Sequence, residues 1–483
     1  MEAAIDYEKQ LDEHVKRERA AVKLASKTGQ LLYDHGVELV LFRNHLVNLS
    51  VSEILNLHEY AASVVNKPID VFTTSAMAEE MLALDLAPSK LDVGKITFEY
   101  LEEKEKFASK ADFLKKKLGE FIGKDRFKLE PRDVVLYGFG RIGRLAAREL
   151  IKQAGKGQQL RLRAIVTRDA SDLTITKRAA LFKNDSVHGA FDGTVDVDLA
   201  KKVLTINGQT IQMIQARNPE DVDYTAYGIN NALVIDNTGV FTDKESLNRH
   251  RQAKGVSKVI LTAPGKGIPN IVYGINQQDL NIETDKIYSA ASCTTNAISP
   301  ILKVVNDAYG IEKGHIETVH AYTNDQNLLD NMHNKPRRGR SAAINMVITS
   351  TGAGKAVTKV IPALENKLTA NAVRVPTPNG SLAILSLSLN TATTVEEINE
   401  KIRYAALNGD LVNQIHYSID PELVSNDIIG NTCCSVFDSQ ATIVSNDGKN
   451  VVLYAWYDNE FGYTKQVIRL AKYVAKVRRL IYY

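Results

Sequence analysis

A chain of 483 residues is long enough for about two to four domains, and its composition, 44% apolar and 24% charged, is that of a soluble globular protein. The formal charge of only +3 gives no footing for a nucleic-acid or anionic-membrane partner. Three cysteines, Cys293, Cys433 and Cys434, cannot build a disulfide framework, which fits a reducing compartment. The first residues carry charge within two positions and no apolar h-region, so no secretory signal is expected. No apolar run approaches a membrane span, and the cytoplasm is the expected location.

Residues 1–130 are rich in Leu, Glu, Lys and Ala and poor in Gly. Leu39, Phe42, Leu46 and Leu49, then Ile54, Leu57 and Tyr60, recur at helical spacing, with Ser52 before Glu53 as a cap and Pro68 and Pro88 as breaks. Residues 98–121 read as a further amphipathic helix laced with Glu–Lys pairs. His14, His35, His45 and His58 are scattered and fit surface or capping roles; no metal site is expected anywhere in the chain.

From Asp133 the pattern becomes β/α. The strand Asp-Val-Val-Leu-Tyr runs into Gly138-Phe139-Gly140-Arg141-Ile142-Gly143 and then a helix. In that setting the glycines permit a tight turn and a close backbone approach to a pyrophosphate, which rests on the helix N-terminus. Residues 160–166, 232–236 and 258–262 are further strands, each followed by a turn or helix, as in a mostly parallel sheet covered on both faces. The second strand should end in an acid that binds the ribose 2′-OH. It ends instead in Thr167-Arg168, with Asp169 just beyond. A hydroxyl and a guanidinium suit a 2′-phosphate; alternatively Arg168 is a solvated loop residue and Asp169 reaches the ribose. Both readings stand, with a slight lean to NADP or dual use.

Residues 289–300, Ser-Ala-Ala-Ser-Cys-Thr-Thr-Asn-Ala-Ile-Ser-Pro, place Cys293 among hydroxyls at a strand-to-helix transition. A thiol there feels the positive end of the helix dipole, its pKa is expected to fall, and the thiolate is the nucleophile. Ser292, Thr294 and Thr295 can cap the helix or bind an anion. The plain alternative is a small buried thiol. Beyond it, 373–376, 382–390 and 451–457 read as strands of a second sheet, and 465–478 as a closing helix.

Several separate segments then point to one family. They are Gly-Phe-Gly-Arg-Ile-Gly-Arg at 138–144, Asn-Asp-Ser-Val-His-Gly at 184–189, Asn-Thr-Gly-Val-Phe at 237–241 and Ser-Cys-Thr-Thr-Asn at 292–296. His-Ala-Tyr-Thr-Asn-Asp-Gln at 320–326, Arg-Arg-Gly-Arg at 337–340, Ser-Thr-Gly-Ala-Gly-Lys-Ala-Val at 350–357, Arg-Val-Pro-Thr-Pro at 374–378 and Trp-Tyr-Asp-Asn-Glu-Phe-Gly-Tyr at 456–463 follow in order. In these the chain from Asp133 onward resembles glyceraldehyde-3-phosphate dehydrogenase, while residues 1–130 lie outside the resemblance.

Residues 1–130 read, from their spacing, as a helical extension; beyond it the resemblance implies an α/β protein with a Rossmann-type dinucleotide-binding domain over 131–291 completed by a C-terminal helix within 463–483, and an α+β catalytic domain with a mixed or antiparallel sheet over 292–462. It implies Cys293 as nucleophile and His320 as base. Thr323 and Arg374, with Arg338, would hold the substrate phosphate. Ser292, Thr294, Thr351 and Gly352, with Arg338, would hold the attacking inorganic phosphate. Gly138, Phe139, Gly140, Arg141, Ile142, Gly143, Arg217, Thr238 and Thr262 would contact NAD or NADP, Asn459 would hold the nicotinamide carboxamide, and Tyr463 would flank the ring. A homotetramer is implied, with the 325–345 loop near a neighbouring subunit. Tyr137 stands where the family usually has asparagine before Gly-Phe-Gly, Tyr-Gly-Ile-Asn at 273–276 is another departure, and the loop 168–183 is longer than usual. The expected reaction is phosphorylating oxidation of glyceraldehyde 3-phosphate. The alternatives are an erythrose-4-phosphate dehydrogenase, or a binding protein whose N-terminal helices recruit a protein partner.

Overall fold

The computed structural model describes residues 6–123, 130–349 and 351–483, so Ser350 of the 350–357 segment lies outside the described residues. The chain divides into two compact units: residues to Pro131 with Gln153–Gln159 and Val477–Tyr483, and Arg132–Lys152 with Leu160–Lys476.

The first unit opens with α1 (Tyr7–His35), capped by the Asp6 carboxylate and closed by Gly36 in the left-handed region at φ 71°. Strands β1 (Glu38–Leu41) and β2 (Asn44–His45) follow, then α2 (Val51–Ser63), α3 (Val71–Leu82), β3 (Ser89–Asp92), α4 (Val93–Glu103) and α5 (Lys110–Lys117). A four-stranded sheet in the order β2-β1-β3 and Leu480–Tyr482 accompanies the helices, the C-terminal strand pairing in parallel with β3.

Three helical expectations change here. The spacing of Leu39, Phe42 and Leu46 belongs to a hairpin, because Phe42 and Arg43 turn the chain at φ 43° and 75°. Leu39, Val40 and Leu41 are all fully buried, so a continuous apolar run had mimicked one helical face. The cap of α2 is Ser50, which forms a capping box with Glu53, not Ser52. The helix expected over 98–121 is broken: α4 ends at Glu103, and Ser109 caps α5.

The second unit begins with β4 (Arg132–Tyr137), α6 (Arg141–Ile151), β5 (Leu160–Thr167) and α7 (Asp172–Lys183). The short hairpin β6 (Asn184–Asp185) and β7 (Gly189–Ala190) precedes β8 (Val195–Asp198), β9 (Val203–Ile206) and β10 (Gln209–Gln215). Next come β11 (Ala232–Asp236), α8 (Lys244–Gln252), β12 (Val256–Leu261) and β13 (Ile287–Ser289). The sheet order is β13-β12-β11-β4-β5-β10-β9-β8, parallel from β13 to β10 and antiparallel at the β9–β8 edge. The order in which strands are added reverses at β4, the switch point at which open α/β sheets bind ligands. Buried Val and Ile side chains fill β4 and β11, as expected of strands covered on both faces.

The remaining elements are α9 (Cys293–Tyr309), β14 (Ile311–Ala321), β15 (Val347–Thr349), α10 (Ala353–Thr358), β16 (Leu368–Val375) and β17 (Ser381–Leu389). They continue with α11 (Val395–Leu407), β18 (Ile415–Ser418), β19 (Ser435–Asp438), β20 (Ile443–Val444), β21 (Asn450–Tyr457) and α12 (Phe461–Val474). A mixed sheet runs β15-β16-β14-β17-β21-β19-β18. Strands β17 and β21 bury alternate residues, so one face packs on helices. The C-terminal helix expected within 463–483 stops at Val474: Lys476 adopts φ 59° and Leu480–Tyr482 form a strand. No helix among the described residues is long and apolar enough to cross a membrane.

In the first unit, one carboxylate holds the β1–β2 turn. Asp92 is fully buried and accepts from Phe42 N (2.8 Å), Arg43 N (3.1 Å), Arg43 Nη1 (2.7 Å) and Lys95 N (3.0 Å). Asp92→Ala should lower stability by about 2–4 kcal/mol, since it strands buried donors. Urea denaturation followed by circular dichroism reads this, and an unchanged midpoint would contradict it.

Candidate active site

At the switch point the glycine turn has the shape a dinucleotide needs. Gly138 takes φ 95°, and a Cβ on Gly143 would lie 2.5 Å from the Gly138 carbonyl oxygen. Gly140 faces open space and caps α6, leaving the first N–H groups of that helix without intrahelical partners. A cavity of about 390 Å³ opens there, bordered by Gly138, Phe139, Gly140, Thr167, Arg168, Arg178, Arg217 and Thr238. Arg141 turns elsewhere: its guanidinium grips Glu460 (Nη2 to Oε2 2.6 Å) and Asp185 (3.1 and 3.3 Å). At the turn it therefore offers its backbone, and Ile142 sits half-buried beside it.

Thr167 Oγ1 donates to the Asp169 carbonyl at 2.8 Å. The Asp169 carboxylate accepts from Thr174 Oγ1 (2.6 Å), Ser171 N (2.8 Å) and Ser171 Oγ (3.2 Å), at the entry to α7. Asp169 does not border the cavity. The segment 168–183, expected as a long loop, is mostly this helix.

At the other end of the site the backbone makes a forced turn. Ala291 has φ 57°, its N–H donates to Ser289 Oγ (3.0 Å), and its carbonyl accepts from Tyr463 OH (2.9 Å). Tyr463 thus pins the approach to α9. Ser292 caps that helix through Thr295 N (3.0 Å), and Thr294 Oγ1 meets Tyr457 OH at 3.1 Å. Cys293, first residue of α9, places Sγ 3.6 Å from His320 Nε2.

His320 ends β14 in register with Arg374 on the parallel strand β16. The Ala321 carbonyl oxygen lies 2.7 Å from His320 Nδ1 and 2.8 Å from Arg374 Nη1. Arg374 Nη1, a donor, also lies 2.8 Å from Nδ1; with the Nδ1 proton directed at the Ala321 carbonyl, Nε2 presents its lone pair to the thiol. Burial pushes the imidazole down to about 3, with Arg374 and Arg338 acting in the same direction. The thiol departs from expectation. Burial raises its pKa, outweighing Arg374 and the Thr294 donors that favour the thiolate. The resting pair is a neutral thiol beside a neutral imidazole.

Ser381 Oγ accepts from Ala321 N (3.1 Å) and donates to Asn459 Oδ1 (2.8 Å), which directs the Asn459 amide N–H groups elsewhere. Arg338 faces Thr349 Oγ1 (3.0 and 3.2 Å) and pairs with Asp325. Thr351 Oγ1 accepts from Ala353 N (3.2 Å) beside Gly352 at the start of α10, and Thr323 is half-buried in the loop after β14. Thr262 donates through N and Oγ1 to the Asp236 carbonyl (both 3.0 Å). Among the described residues, Cys293 Sγ and Arg374 Nη1 each lie beside a ring nitrogen of His320, at 3.6 and 2.8 Å, while Thr323, Arg338, Thr351 and Gly352 make no hydrogen bond to these three.

Residues 132–244 match the family described as glyceraldehyde 3-phosphate dehydrogenase, NAD binding domain, and residues 292–459 match its C-terminal domain. A glyceraldehyde-3-phosphate dehydrogenase-like protein of Pseudomonas aeruginosa is 50% identical over 93% of this chain and 97% of its own. The chain belongs to the glyceraldehyde 3-phosphate dehydrogenase family. It is accordingly an NAD(P)-dependent dehydrogenase. Glyceraldehyde-3-phosphate dehydrogenase of Clostridium pasteurianum and glyceraldehyde-3-phosphate dehydrogenase 1 of Bacillus subtilis are each 41% identical, over 72% and 71% of this chain and 99% and 98% of their own. The Pseudomonas match therefore reaches into the N-terminal region, whereas these two proteins are nearly accounted for by part of the enzyme's length.

Several site residues were not visible in the sequence. Asp236, at the end of β11, accepts from Thr238 N (2.8 Å) and Oγ1 (2.7 Å) and pairs with the buried His250 Nε2 (2.8 Å). Tyr137, in the place of the family asparagine, packs its ring against His250 with centroids 4.7 Å apart. The position of Asp236 at a strand C-terminus was the available signal. Tyr457 lay within the 456–463 segment without a role of its own, and Ser381 and Arg178 carried no signal.

The depressed imidazole has a consequence for stability. The unfolded chain protonates His320 near 6.5 and the folded enzyme only near 3. Its contribution is thus complete above pH 6.5 and is lost progressively as the pH falls to 3. In His320→Asn the acid loss of stability over that window should be shallower than in the wild type, measured as urea midpoints against pH. Parallel curves for the two proteins would show that His320 is not the group responsible.

Proposed function

We propose that the enzyme oxidises glyceraldehyde 3-phosphate with inorganic phosphate to 1,3-bisphosphoglycerate, reversibly, through a thioester on Cys293. The observation that carries this reading is the Cys293 thiol 3.6 Å from the free Nε2 of a neutral His320. Nε2 takes the thiol proton as Sγ bonds to the aldehyde carbon, and returns it to the new hydroxyl. The nicotinamide, when bound, accepts the hydride whose loss turns this adduct into a thioester. His320 then holds the hydroxyl proton. Phosphate oxygen attacks the thioester carbon, and Cys293 leaves as thiolate and recovers its proton.

Two anions must be held near this pair. Arg374 is close to His320, and its Nε is buried without a partner, a donor suited to the substrate phosphate with Thr323. Ser292, Thr294, Thr351 and Gly352 are the group for the attacking phosphate, and Arg338 serves either site once released from Asp325. The Gly138–Gly143 turn receives the pyrophosphate, with Thr238 and Thr262 beside it. The free amide of Asn459 suits a carboxamide oxygen, and Tyr463 backs the ring position. Arg168 and Arg217 on the cavity, with Asp169 occupied at α7, favour NADP or dual use.

Large exposed apolar side chains in the 328–348 segment, including Met332 at 93% and Ile344 at 79% exposure, favour a homotetramer. The expected division at 131 and 292 separates the extension, the dinucleotide-binding domain and the catalytic domain. The extension is a candidate surface for a protein partner, and the cytoplasm is the proposed location.

Cys293→Ser should abolish turnover while leaving the fold and dinucleotide binding intact, because a hydroxyl ionises far less readily than a thiol. Retention of most activity would end the covalent mechanism. Wild-type kcat/KM with NADP should lie within about tenfold of that with NAD. Thr167→Asp should then shift preference toward NAD by repelling a 2′-phosphate. Steady-state kinetics with both cofactors check this; a strictly NAD-dependent wild type that Asp169→Ala relaxes would make Asp169 the selector.

A further inference from the structure

Helix α7 carries an arginine that its own packing does not explain. Ile175, Ala179 and Phe182 are the buried residues of α7, and Arg178 lies three after Ile175 and four before Phe182, on the same side. A guanidinium there occupies a position where the helix otherwise places apolar side chains. Its Nε is buried with no hydrogen-bond partner. Buried donors are nearly always paired, so an unpaired one needs an explanation.

Arg178 borders the dinucleotide cavity together with Arg168 and Arg217, and no carboxylate borders it. Three guanidiniums on one cavity repel one another and are relieved by an anion. Asp169 attracts Arg178 electrostatically, but its carboxylate is committed to Ser171 and Thr174, and among the described residues it forms no ion pair with Arg178. The cavity adjoins the end of β5, where the strand after the glycine turn meets the adenosine ribose. A dianion at the 2′-position would lie among these arginines; a bare hydroxyl would leave their charge uncompensated.

We propose that Arg178 is a cofactor-selecting residue that binds the 2′-phosphate of NADP together with Arg168 and Arg217. This rests on the dinucleotide site described under the proposed function. It also places the selector on a helix rather than at the strand end alone. A forked donor on a rigid helix suits phosphate recognition, whereas a flexible ammonium would supply charge without the fork.

The test is calorimetric titration of the full chain with adenosine 2′,5′-bisphosphate and with 5′-AMP, which differ only by the 2′-phosphate. The wild type should prefer the bisphosphate. Arg178→Gln should weaken bisphosphate binding roughly 10- to 100-fold, the range for a charge-assisted contact, and change 5′-AMP binding less than about twofold. Arg178→Lys should recover part of the loss. The thermal midpoint of Arg178→Gln should not fall, because the lost Nε has no partner. Equal weakening of both nucleotides would make Arg178 an adenine contact and overturn the proposal. A wild-type preference for bisphosphate that Arg178→Gln leaves intact would overturn Arg178 alone and leave the NADP reading standing. No preference in the wild type would remove both, without touching the thioester chemistry.

Discussion

The carbonyl oxygen of Ala321 receives His320 Nδ1 at 2.7 Å and Arg374 Nη1 at 2.8 Å, and the orientation of the reactive centre follows from this shared acceptor. It offers Nδ1 an acceptor, and with the proton there a lone pair and not an N–H faces Cys293. It also holds a guanidinium beside the ring, which adds to burial in keeping the imidazole neutral. The peptide itself is fixed from its other side, where Ala321 N donates to Ser381. The parallel register of β14 and β16, His320 against Arg374, makes this sharing possible. A one-residue slip would move each of these side chains to the opposite face of the sheet.

Cys293 depends on a second constraint, imposed on the backbone. Ala291 in the left-handed region costs about 1–3 kcal/mol. That strain is held by Tyr463 from α12 and by Ser289 from the strand before it. The turn sets Cys293 at the first position of α9. Because the site is buried, the helix terminus does not make the thiol acidic; a neutral acceptor opposite it takes over that task. Burial therefore raises the thiol and lowers the imidazole together, and the pair rests uncharged.

The dinucleotide end has the opposite character. There positive charge is concentrated, with arginines from the end of β5, from α7 and from the chain after β10 around one cavity. Beneath it, the buried Asp236–His250 pair orders Thr238 beside the glycine turn. The Cys293–His320 pair is thus neutral, while the cavity at the glycine turn is lined by arginines.

Local chemistry was legible in the sequence wherever it is written in consecutive residues. The Gly138–Gly143 turn needs glycine because a side chain at Gly143 would strike the preceding carbonyl. Strand β11 was legible because its short apolar run is bounded by Asn231 on one side and Asn237-Thr238-Gly239 on the other. The helical spacing of Leu39, Phe42 and Leu46 misled because three adjacent buried residues of a strand satisfy the same pattern, and the turn that breaks it depends on Asp92, which is about fifty positions away in the chain. The α7 arginine, the Ser381 bridge and the neutrality of the Cys293–His320 pair were equally out of reach. Each arises from groups brought together across the fold, and burial, which no stretch of sequence displays, sets their charge. The sequence by itself determined which residues the chemistry has; only the tertiary structure decided their protonation and their partners, because desolvation and hydrogen-bond geometry exist only between segments that have already met.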